Sequence, residues 1–503
     1  MDLRRSNHDS VSGRDTNNHD RPAGLAGSTP LWPLVIDLDG TLLKTNSLDE
    51  TFLDVLRASP AALWRLPLKL IVGRAAVKAF LARHSPLDVD DWPVREDFLD
   101  FVRKHADAGH HVVLATGAHR SIADAIKARF PFIAEVIGTE GDNNLKGATK
   151  AQKLRERFPD GFIYAGDSAA DLEVWRNGAD CVLVGAARSV VRRASRFGAP
   201  RAIFPREDKW GFTLLHRTLR LHQWVKNGLV FVPLVLGGKA ADSSAWGKAW
   251  IGFLALSAAA SATYIINDLW DLPHDRKHWS KRTRPLAAGN LSIRSAVALA
   301  LAALLAAFAL ANGIGTTAVG VLAIYILLTL SYSFGLKRIA LLDIFALASL
   351  FTVRLGFGIA LTDVRTSPWL LVFSMFAFLS LSAAKRHTEV LRLIERGLDK
   401  VPGRGYIAAD APMLLGIGMA ASLGAVLIMI LYLIEDAFPR QFYSNPACLW
   451  AIPPVLFLFF GRIWLLCQRG RLHDDPVAFA LKDRASLALG AVMTAAFAAA
   501  LLL

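Results

Sequence analysis

The stretch Ala249–Asp275, AWIGFLALSAAASATYIINDLWDLPHD, places a long apolar run directly before a group of acidic residues. The run Ala249–Ile266 has 18 residues and no charged side chain. A helix of this length and polarity can cross the hydrocarbon core of a bilayer. This part of the chain is therefore predicted to belong to a bundle of membrane-spanning helices.

Eight further apolar segments of spanning or near-spanning length occur between residue 228 and the C-terminus. Together the nine segments are Gly228–Gly238, Ala249–Ile266, Ala296–Ala311, Ala318–Tyr332, Leu341–Leu361, Trp369–Ala384, Met413–Ile434, Leu449–Cys467 and Ala485–Leu503. A soluble helical core is disfavoured, because a helix on the surface of such a core shows a polar stripe. We predict an all-α domain of nine transmembrane helices in residues 211–503, with Gly228–Gly238 as the shortest span.

The charge of the chain is distributed unevenly between its two parts. The 503 residues are 53% hydrophobic and carry a net charge of +14. Residues 1–210 hold 30 basic and 28 acidic residues, whereas residues 211–503 hold 27 and 15. With a cytosolic N-terminus and nine spans, most Lys and Arg residues between the spans fall in cytosolic loops. The basic excess is thus expected to orient a membrane domain and bind anions, and it requires no nucleic acid.

The N-terminal part has the composition of a soluble protein. Residues 1–30 are polar and rich in Gly, Ser and Asn, and they lack the apolar segment of a signal peptide. We predict a disordered tail over 1–30, a cytosolic domain over 31–210, and a boundary near Pro205–Phe212. Whole-chain disorder is excluded by the apolar content, and a disulfide framework by the presence of three cysteines.

The predicted soluble domain repeats the order strand, polar tip, helix. The short apolar run Leu34–Ile36 is followed by Asp37-Leu38-Asp39-Gly40-Thr41. The later blocks in the same order are His111–Ala115 with Thr116-Gly117, the pair Lys146 and Lys150 in NLKGATKAQKL, and Phe162–Ala165 with Gly166-Asp167-Ser168-Ala169-Ala170-Asp171. This succession is typical of a doubly wound α/β fold with its carboxylates at the mouth of the sheet.

These four blocks, DLDGT, ATG, a Lys before KAQKL, and GDSAAD, resemble the motifs of the haloacid dehalogenase superfamily across residues 33–200. The resemblance implies a Rossmann-like fold and a phosphatase in which Asp37 is the nucleophile and Asp39 the general acid and base. Thr116 and Lys150 would hold the phosphoryl oxygens, with Lys146 as the alternative lysine. The implied Mg²⁺ ligands are Asp37, Asp39, Asp167 and Asp171.

The resemblance also implies a helical cap over about residues 45–110 that selects the substrate. Its stretch Ala61–Phe80, AALWRLPLKLIVGRAAVKAF, is apolar with interspersed basic residues. We expect this stretch to form a core face of the cap with a solvated side. The alternative is a surface that leans on the membrane.

The acidic group after Ala249–Ile266 has the spacing of one helix face. Asp268, Asp271 and Asp275 stand at i, i+3 and i+7, and acidic residues at a membrane-helix end suggest a functional site. Three such carboxylates suit Mg²⁺ carrying a diphosphate, and the following Lys281-Arg282-Thr283-Arg284 suits phosphate groups. Pro273 is expected to kink or end the helix, which changes the aim of Asp275.

The motif Asn267-Asp268-Leu269-Trp270-Asp271-Leu272-Pro273-His274-Asp275 resembles NDxxDxxxD of the UbiA-type intramembrane prenyltransferase superfamily, across residues 215–503. Five stretches favour its decaprenyl-phosphate phosphoribosyltransferase branch: HQWVKN (His222–Asn227), KRTRPLAAG (Lys281–Gly289), YSFGLKR (Tyr332–Arg338), KRHTEV (Lys385–Val390) and DDPVAFALKDR (Asp474–Arg484). The loop after the sixth span offers cations, whereas aromatic prenyltransferases carry a second acidic motif there.

The resemblance implies transfer of phosphoribose from phosphoribosyl diphosphate to a polyprenyl phosphate in a bacterial cytoplasmic membrane, with Mg²⁺ on Asp268, Asp271 and Asp275. Asp268 and Asp271 are the implied catalytic residues. The candidate substrate-binding residues are Lys226, Asn267, Lys281, Arg282, Arg284, Tyr332, Lys337, Lys385 and Arg386. Arg354 is expected to be structural, by snorkelling or pairing, near the outer side.

The fusion suggests that the soluble domain removes the 5-phosphate from the product of the membrane domain, since both sites are expected to face the cytosol. Three alternatives remain from the sequence. The membrane domain could be an aromatic prenyltransferase with a regulatory or unrelated phosphatase, the soluble domain could bind without turnover, and the nine helices could form a transporter. A transporter is disfavoured because its polar groups lie near the bilayer midplane.

Overall fold

The computed structural model describes residues 31–502 except 142–143, 178–179, 207–210, 366, 402, 441–442, 473–475 and 481. The predicted disordered tail, residues 1–30, lies outside the described residues, as do parts of the stretch Asp474–Arg484. Within the described part, the chain forms an α/β region followed by a bundle of long helices.

The α/β region is built on one six-stranded parallel sheet. Its strands are β1 (Leu34–Ile36), β2 (Val112–His119), β3 (Glu135–Thr139), β4 (Ile163–Gly166), β5 (Asp180–Val184) and β6 (Ala202–Phe204). Their spatial order is β3-β2-β1-β4-β5-β6, so the chain changes direction across the sheet between β1 and β4. Such a switch point opens a crevice at the carboxyl ends of the strands, where Asp37 and Asp167 lie. The predicted parallel α/β architecture is confirmed.

Eight helices accompany the sheet. They are α1 (Ser47–Ala58), α2 (Leu66–Val72), α3 (Arg74–His84), α4 (Glu96–Asp107), α5 (Arg120–Arg129), α6 (Ala148–Arg157), α7 (Leu172–Arg176) and α8 (Arg188–Ala194). The inserted helices α1 to α3 and a 3-10 helix at Pro60–Arg65 form the cap-like part between the first two strands.

The predicted cap core face over Ala61–Phe80 is only half right. Ala75, Val77 and Phe80 are buried, but Trp64 and Ile71 are among the most exposed large apolar residues of the described chain. The seven-residue helix α2 has no buried residue.

Among the described residues, the second part forms twelve α-helices, of which eight are long and mostly apolar. They are α9 (Phe212–Leu219), α10 (Val232–Leu236), α11 (Ser243–Trp270), α12 (Leu272–Lys277), α13 (Ile293–Asn312), α14 (Thr316–Phe334), α15 (Leu342–Thr362), α16 (Pro368–Glu395), α17 (Ala411–Tyr432), α18 (Ile452–Gln468), α19 (Pro476–Ala480) and α20 (Arg484–Leu502). Eight helical segments among the described residues are long and apolar enough to cross a membrane, and each contains most of one predicted span.

The predicted first span, Gly228–Gly238, is not one of those eight helices. The chain forms a 3-10 helix over Leu221–Phe231 and then the short α10, whose second residue is Pro233. This segment packs tightly against α15, where a side chain at Gly358 would collide with the Val230 backbone. Its start lies at Arg220, which pairs with Asp268, and just beyond its end Lys239 donates to the Thr362 carbonyl at 2.7 Å.

The two parts of the chain meet at α1. Leu53 of α1 packs in one apolar cluster with Ile265, Leu269 and residues of α13. Arg57 Nη2 donates to the Leu269 carbonyl at 2.6 Å, and Glu50 forms a buried ion pair with Arg276 of α12 at 2.6 Å. The helix that follows the first acidic motif of the α/β region therefore contacts the helix that carries the last aspartate of the membrane motif.

Replacing Glu50 by Ala is expected to destabilise the contact between the two parts. Arg276 is only 7% exposed, and its Nε has no hydrogen-bond partner in the described structure, so the variant leaves a buried charge without its carboxylate. Breaking a buried pair from one side costs about 3–5 kcal/mol. Thermal unfolding of the full chain in detergent should show a lower midpoint than the wild type.

Asp49→Ala is the matched control, one residue earlier on the same helix. Asp49 is 13% exposed, but its partner Arg294 is 67% exposed and stays hydrated when the carboxylate is removed, so the loss should be about 1 kcal/mol or less. The midpoint of this variant should stay close to that of the wild type. Equal midpoints for the two variants would contradict the role given to the Glu50–Arg276 pair.

Candidate active sites

The first site lies at the carboxyl ends of β1 and β4. Asp37 follows β1 directly, and its Oδ1 lies 3.0 Å from Lys150 Nζ. Lys150 is 3% exposed near the start of α6, and its Nζ also donates to the Tyr164 hydroxyl at 2.9 Å. Asp171 accepts from that hydroxyl at 2.7 Å, so the three polar groups form one buried chain of hydrogen bonds.

Asp37, Asp167 and Asp171 form a group that could hold a metal ion. One oxygen of each lies within 4.8 Å of the others, the one such group found among the described residues. Burial, together with the nearby Asp37 and Asp171 carboxylates, raises the pKa of Asp167 to about 8. Burial likewise raises the pKa of Asp37 to about 6, against the opposing effect of Lys150.

Several features of this site fit a divalent cation and a phosphate group. Carboxyl groups whose pKa values are raised by burial and by neighbouring carboxylates are stabilised in their charged form by a nearby cation. The hydroxyl of Thr41 is buried without a hydrogen-bond partner in the described structure. Gly40 has φ +78°, and a side chain there would collide with Asp167, so the glycine of DLDGT is required by space as well as by backbone conformation.

Asp39 is held by the first residue of α1. Its Oδ1 accepts from the Ser47 backbone N–H at 2.7 Å and its Oδ2 from the Ser47 hydroxyl at 3.0 Å. Burial raises the pKa of Asp39, although both bonds to Ser47 lower it. Thr116 is fully buried at the end of the second motif, and its Oγ1 accepts from the Ala118 backbone N–H at 3.0 Å.

The two candidate lysines differ sharply in position. Lys146 is exposed, whereas Lys150 is buried and touches Asp37. The cap adds Lys78, a lysine that the sequence analysis did not single out. Its Nζ donates to the Gly117 carbonyl at 2.5 Å and to Asn144 Oδ1 at 2.6 Å. Burial lowers the pKa of Lys78, and the nearby Asp39 opposes this effect.

The second site is a cavity of about 440 Å³ in the helix bundle. Eight of the nine predicted substrate-binding residues line it: Lys226, Asn267, Lys281, Arg284, Tyr332, Lys337, Lys385 and Arg386. Arg282 is exposed and does not line it. Nine of the lining side chains are Lys or Arg, and two, Asp271 and Glu389, are acidic. A cavity with this lining favours anionic ligands.

The acidic motif is divided between two helices, in agreement with the break expected from Pro273. Helix α11 ends at Trp270 and α12 begins at Leu272, with Asp271 at the junction. Asp271 lines the cavity and accepts from Lys337 Nζ at 2.6 and 2.9 Å. Asp275 is 2% exposed and does not line the cavity.

Each aspartate of this motif pairs with a basic side chain. Asp268 pairs with Arg220 and, at 3.0 Å, with Arg284. Arg284 also lies 2.5 Å from Asp275. The three carboxylates are thus spread around Arg284 and Lys337, and among the described residues they do not converge on one point as the aspartates of the first site do. This arrangement does not fit one Mg²⁺ shared by all three carboxylates.

The family model for the UbiA prenyltransferase family matches residues 229–489. The chain belongs to the UbiA prenyltransferase family. The model for haloacid dehalogenase-like hydrolases matches residues 34–176, so this UbiA family member carries a haloacid dehalogenase-type domain at its N-terminal side. Together with eight candidate spans, the family indicates a multi-pass membrane protein.

Two relatives and one solved structure show the range of similarity. Uncharacterized protein y4nM of Sinorhizobium fredii is 42% identical over 93% of this chain and 91% of its own length. Decaprenyl-phosphate phosphoribosyltransferase of Mycobacterium tuberculosis is 32% identical over 53% of this chain and 87% of its own length. A UbiA homolog from Archaeoglobus fulgidus, solved with GPP and Mg²⁺, is 16% identical, with a TM-score of 0.45 over 57% of this chain and 98% of that chain.

This UbiA family member contains a second buried ion network, which its sequence motifs do not predict. Asp343, in the first turn of α15, is fully buried and accepts from the Tyr332 hydroxyl at 3.0 Å and from Arg404 at 3.1 Å. It also pairs with Arg386, which binds Glu389 at 2.6 Å. An acidic residue at the end of an apolar segment was the available signal, the same one that singled out Asp268.

Two arginines line the cavity that were not predicted from the sequence to do so, Arg220 and Arg354. Arg220 lines it and has a left-handed backbone, φ 52°, at the turn between α9 and the 3-10 helix. Arg354 was expected to be structural near the outer side. It is 5% exposed, lines the cavity, and donates to Asn227 Oδ1 at 3.0 Å and to the Tyr325 hydroxyl at 3.1 Å, so it pairs and does not snorkel.

Proposed function

We propose that the membrane domain, residues 211–503, transfers phosphoribose from phosphoribosyl diphosphate to a polyprenyl phosphate and releases diphosphate. The excess of nine basic over two acidic side chains in the cavity carries this proposal. The two substrates together bring a 5-phosphate, a diphosphate and a lipid phosphate, and each needs fixed positive charge around it. The similarity to decaprenyl-phosphate phosphoribosyltransferases supports the same assignment.

The leaving diphosphate is assigned to the acidic motif and its partners. Arg284 and Lys337 are held by Asp268 and Asp271, so their charges are fixed before substrate binds. Burial lowers the pKa of Lys337 below its usual value, and the hydrogen bond and charge of Asp271 oppose this effect. Preorganised charge of this kind stabilises the negative charge that develops on a leaving group. The lipid phosphate is already an anion and needs no general base.

The other end of the cavity is assigned to the remaining phosphate groups. Arg386 is fixed between Asp343 and Glu389, and Tyr332 accepts from Arg404 at 2.8 Å. An aromatic prenyltransferase would offer a second acidic motif here for a second metal. The single lining carboxylate at this end, Glu389, already binds Arg386, which favours an anion site.

For the soluble domain, residues 31–210, we propose a Mg²⁺-dependent phosphatase that removes the 5-phosphate from the lipid product. Asp37 would attack phosphorus while the ribose 5-oxygen leaves with a proton from Asp39, and water would then release phosphate from Asp37. The raised pKa of Asp39 favours the protonated form that a general acid needs. Lys150 and Thr116 would hold the phosphoryl oxygens. A bound Mg²⁺ on Asp37, Asp167 and the Asp39 carbonyl, with Asp171 adjacent, would supply positive charge there.

We further propose nine membrane crossings with both sites on the cytosolic face of a bacterial cytoplasmic membrane. The α/β region contacts the Trp270 end of α11, and Ser243 lies at the opposite end of the same helix. The chain therefore has to cross the membrane once between residues 212 and 243. The 3-10 helix Leu221–Phe231 and α10 together extend roughly 30 Å, the thickness of the hydrocarbon core, because a 3-10 helix rises faster per residue. Lys239 beside Thr362, at the far end of α15, supports this path.

The proposal is tested with two labelled donors and purified full-length protein. Radiolabelled phosphoribosyl diphosphate with polyprenyl phosphate should give a labelled lipid, whereas a labelled prenyl diphosphate with an aromatic acid should give none. The opposite pattern would replace the proposal by aromatic prenyl transfer. No label in either lipid would reject both.

Mg²⁺ binding to the phosphatase site is expected to tighten as the pH rises from 6 to 8. Because its pKa is raised, Asp167 is protonated at neutral pH when no metal is bound, and Mg²⁺ has to displace this proton. For one displaced proton, the affinity for Mg²⁺ increases about tenfold with each pH unit. Isothermal titration of the full chain in buffers of different ionisation heat measures both affinity and proton release. Asp167→Asn should lose this pH dependence. An affinity that does not change with pH in the wild type would contradict the assignment.

A further inference from the structure

The cap carries an apolar surface that nothing in the described chain covers. We call the segment Pro60–Arg74, which contains the 3-10 helix Pro60–Arg65 and α2, the cap segment. Trp64 is 86% exposed and Ile71 is 83% exposed, and the side chains between and beside them, Leu68, Leu70 and Val72, are more than 60% exposed. So much contiguous exposed apolar surface marks a site of interaction with a partner or a membrane.

The cap segment is a fixed surface, because its inner side is packed. Leu63 and Leu66 contact a small core formed by Val55 of α1 and by Val77 and Phe80 of α3. The outward residues are therefore held out by the packing of their neighbours. Gly73, with φ +138°, turns the chain sharply into α3, and its surroundings within 4 Å are open.

The position of the segment follows from the helix before it. Helix α1 ends at Ala58, and Arg57 is bonded to the carbonyl of Leu269, one residue before the end of the spanning helix α11. Trp64 is the seventh residue after Arg57, a distance of at most about 25 Å for a fully extended chain. Because α1 contacts the membrane domain at Arg57, the cap segment begins close to the end of α11, where that helix leaves the hydrocarbon core.

The charges of the cap segment fit an anionic lipid surface. Arg65, Lys69 and Arg74 are interspersed among the apolar residues, and the stretch PAALWRLPLKLIVGR contains no acidic residue. Exposed apolar side chains with basic neighbours are typical of segments that lie in the headgroup region of a bilayer.

We infer that the cap segment lies in the headgroup region of the same bilayer that the helix bundle crosses, with Trp64, Leu68 and Ile71 entering its apolar edge. Gly73 joins α2 of this segment directly to α3, which brings Lys78 to the phosphatase site. The phosphatase is thereby adapted to a phosphate carried by a lipid. This last consequence rests on the phosphatase function proposed above, whereas the membrane contact itself does not.

The membrane contact is tested on the full chain in vesicles of phosphatidylcholine and phosphatidylglycerol. Its three cysteines are replaced by Ala, and an environment-sensitive fluorophore is attached to Ile71→Cys. The matched control is Arg103→Cys on α4, whose side chain is 52% exposed and lies among polar neighbours. Quenching by lipids that carry a nitroxide near the headgroup should be severalfold stronger at position 71 than at position 103, and iodide in the water should quench position 103 more.

Equal lipid quenching at the two positions would overturn the inference. The inference would also be overturned if fluorescence at position 71 were not quenched by the nitroxide lipids but increased with the ratio of protein to lipid. A second copy of the chain would then cover the patch. Wild-type-like hydrolysis of p-nitrophenyl phosphate by both labelled proteins shows that the fold is intact, and the transferase reaction provides the same check if the phosphatase proposal fails.

The consequence for the substrate is tested with Trp64→Ser/Ile71→Ser. Hydrolysis of p-nitrophenyl phosphate should be unchanged, whereas removal of phosphate from lipid-borne phosphoribose in vesicles should fall about tenfold. Equal rates for wild type and variant on the lipid would contradict the inference. If wild type leaves the lipid untouched, the proposed phosphatase substrate is wrong, but the quenching result still decides the membrane contact.

Discussion

Asp271→Asn is expected to lower phosphoribosyl transfer by roughly 10²–10³-fold and to leave the phosphatase reaction unchanged. Asp271 stands at the junction of α11 and α12, lines the cavity, and holds Lys337 through both carboxylate oxygens. Asparagine has nearly the same shape but no charge, so Lys337 loses the partner that fixes it. Initial rates with radiolabelled phosphoribosyl diphosphate measure the loss.

A double-variant cycle tests whether Asp271 acts through Lys337. If it does, Lys337→Met and the double variant should be about as slow as Asp271→Asn, because residues that act as a unit are strongly non-additive. Asp363→Asn is the control, since Asp363 is 82% exposed at the other end of the bundle. Multiplicative losses in the double variant would show that Asp271 has a separate role, such as the metal binding expected from its motif.

Asp37→Asn is expected to abolish phosphatase activity, by on the order of 10³-fold or more, because the variant lacks the proposed nucleophile. The transferase reaction should continue, so lipid that still carries the 5-phosphate should accumulate. Asp37 is 3.0 Å from Lys150 and distant in the chain from every residue of the bundle cavity. Mass spectrometry of the lipid extract distinguishes the two products by one phosphate group.

Two lysines provide the matched comparison for this site. Lys150→Met removes the buried lysine that touches Asp37 and should reproduce most of the loss. Lys146→Met removes an exposed lysine four residues earlier and should have little effect. An active Asp37→Asn variant, or a Lys146→Met variant as slow as Lys150→Met, would reject the assignment of the phosphate-binding groups.

The eight long spans were predictable because length and hydropathy alone decide whether a helix can cross a bilayer. Their predicted limits fall within a few residues of α11, α13 and the later helices, apart from the polar extensions of helices such as α16 beyond the apolar run. The structure of the segment Leu221–Leu236 was harder to predict from hydropathy. A 3-10 helix rises more per residue than an α-helix, so it covers the same distance with fewer apolar residues. Its path depends on packing against Gly358, which hydropathy does not encode.

The residues of the two sites were predictable where they belong to a local motif and not where they depend on distant partners. Separate motifs carry Asp37, Lys150 and Asp171. Asp37 follows β1, Asp171 follows β4, and Lys150 lies on the helix before β4, so the pairing of these two parallel strands brings the three together. Asp343 and Arg404 are 61 residues apart, and their pairing depends on how the helices pack. Nothing at either position alone predicts that contact.

The acidic motif of the membrane domain shows a further limit of sequence reasoning. The i, i+3, i+7 spacing predicts one face of a single helix, but Pro273 ends α11 and separates Asp275 from the cavity. The same break allows Arg276 on α12 to reach Glu50 of the cap. A proline that weakens the motif in the sequence thus contributes to the contact between the two domains.

The product formed by the purified full chain tests the central claim most directly. Phosphoribosyl diphosphate and polyprenyl phosphate are supplied together, and the lipid extract is analysed by mass spectrometry over time. The account predicts a lipid that carries phosphoryl-ribose without the 5-phosphate, preceded by a smaller amount of the phosphorylated form. A lipid extract without ribose, or one in which the 5-phosphate is never removed, would contradict it.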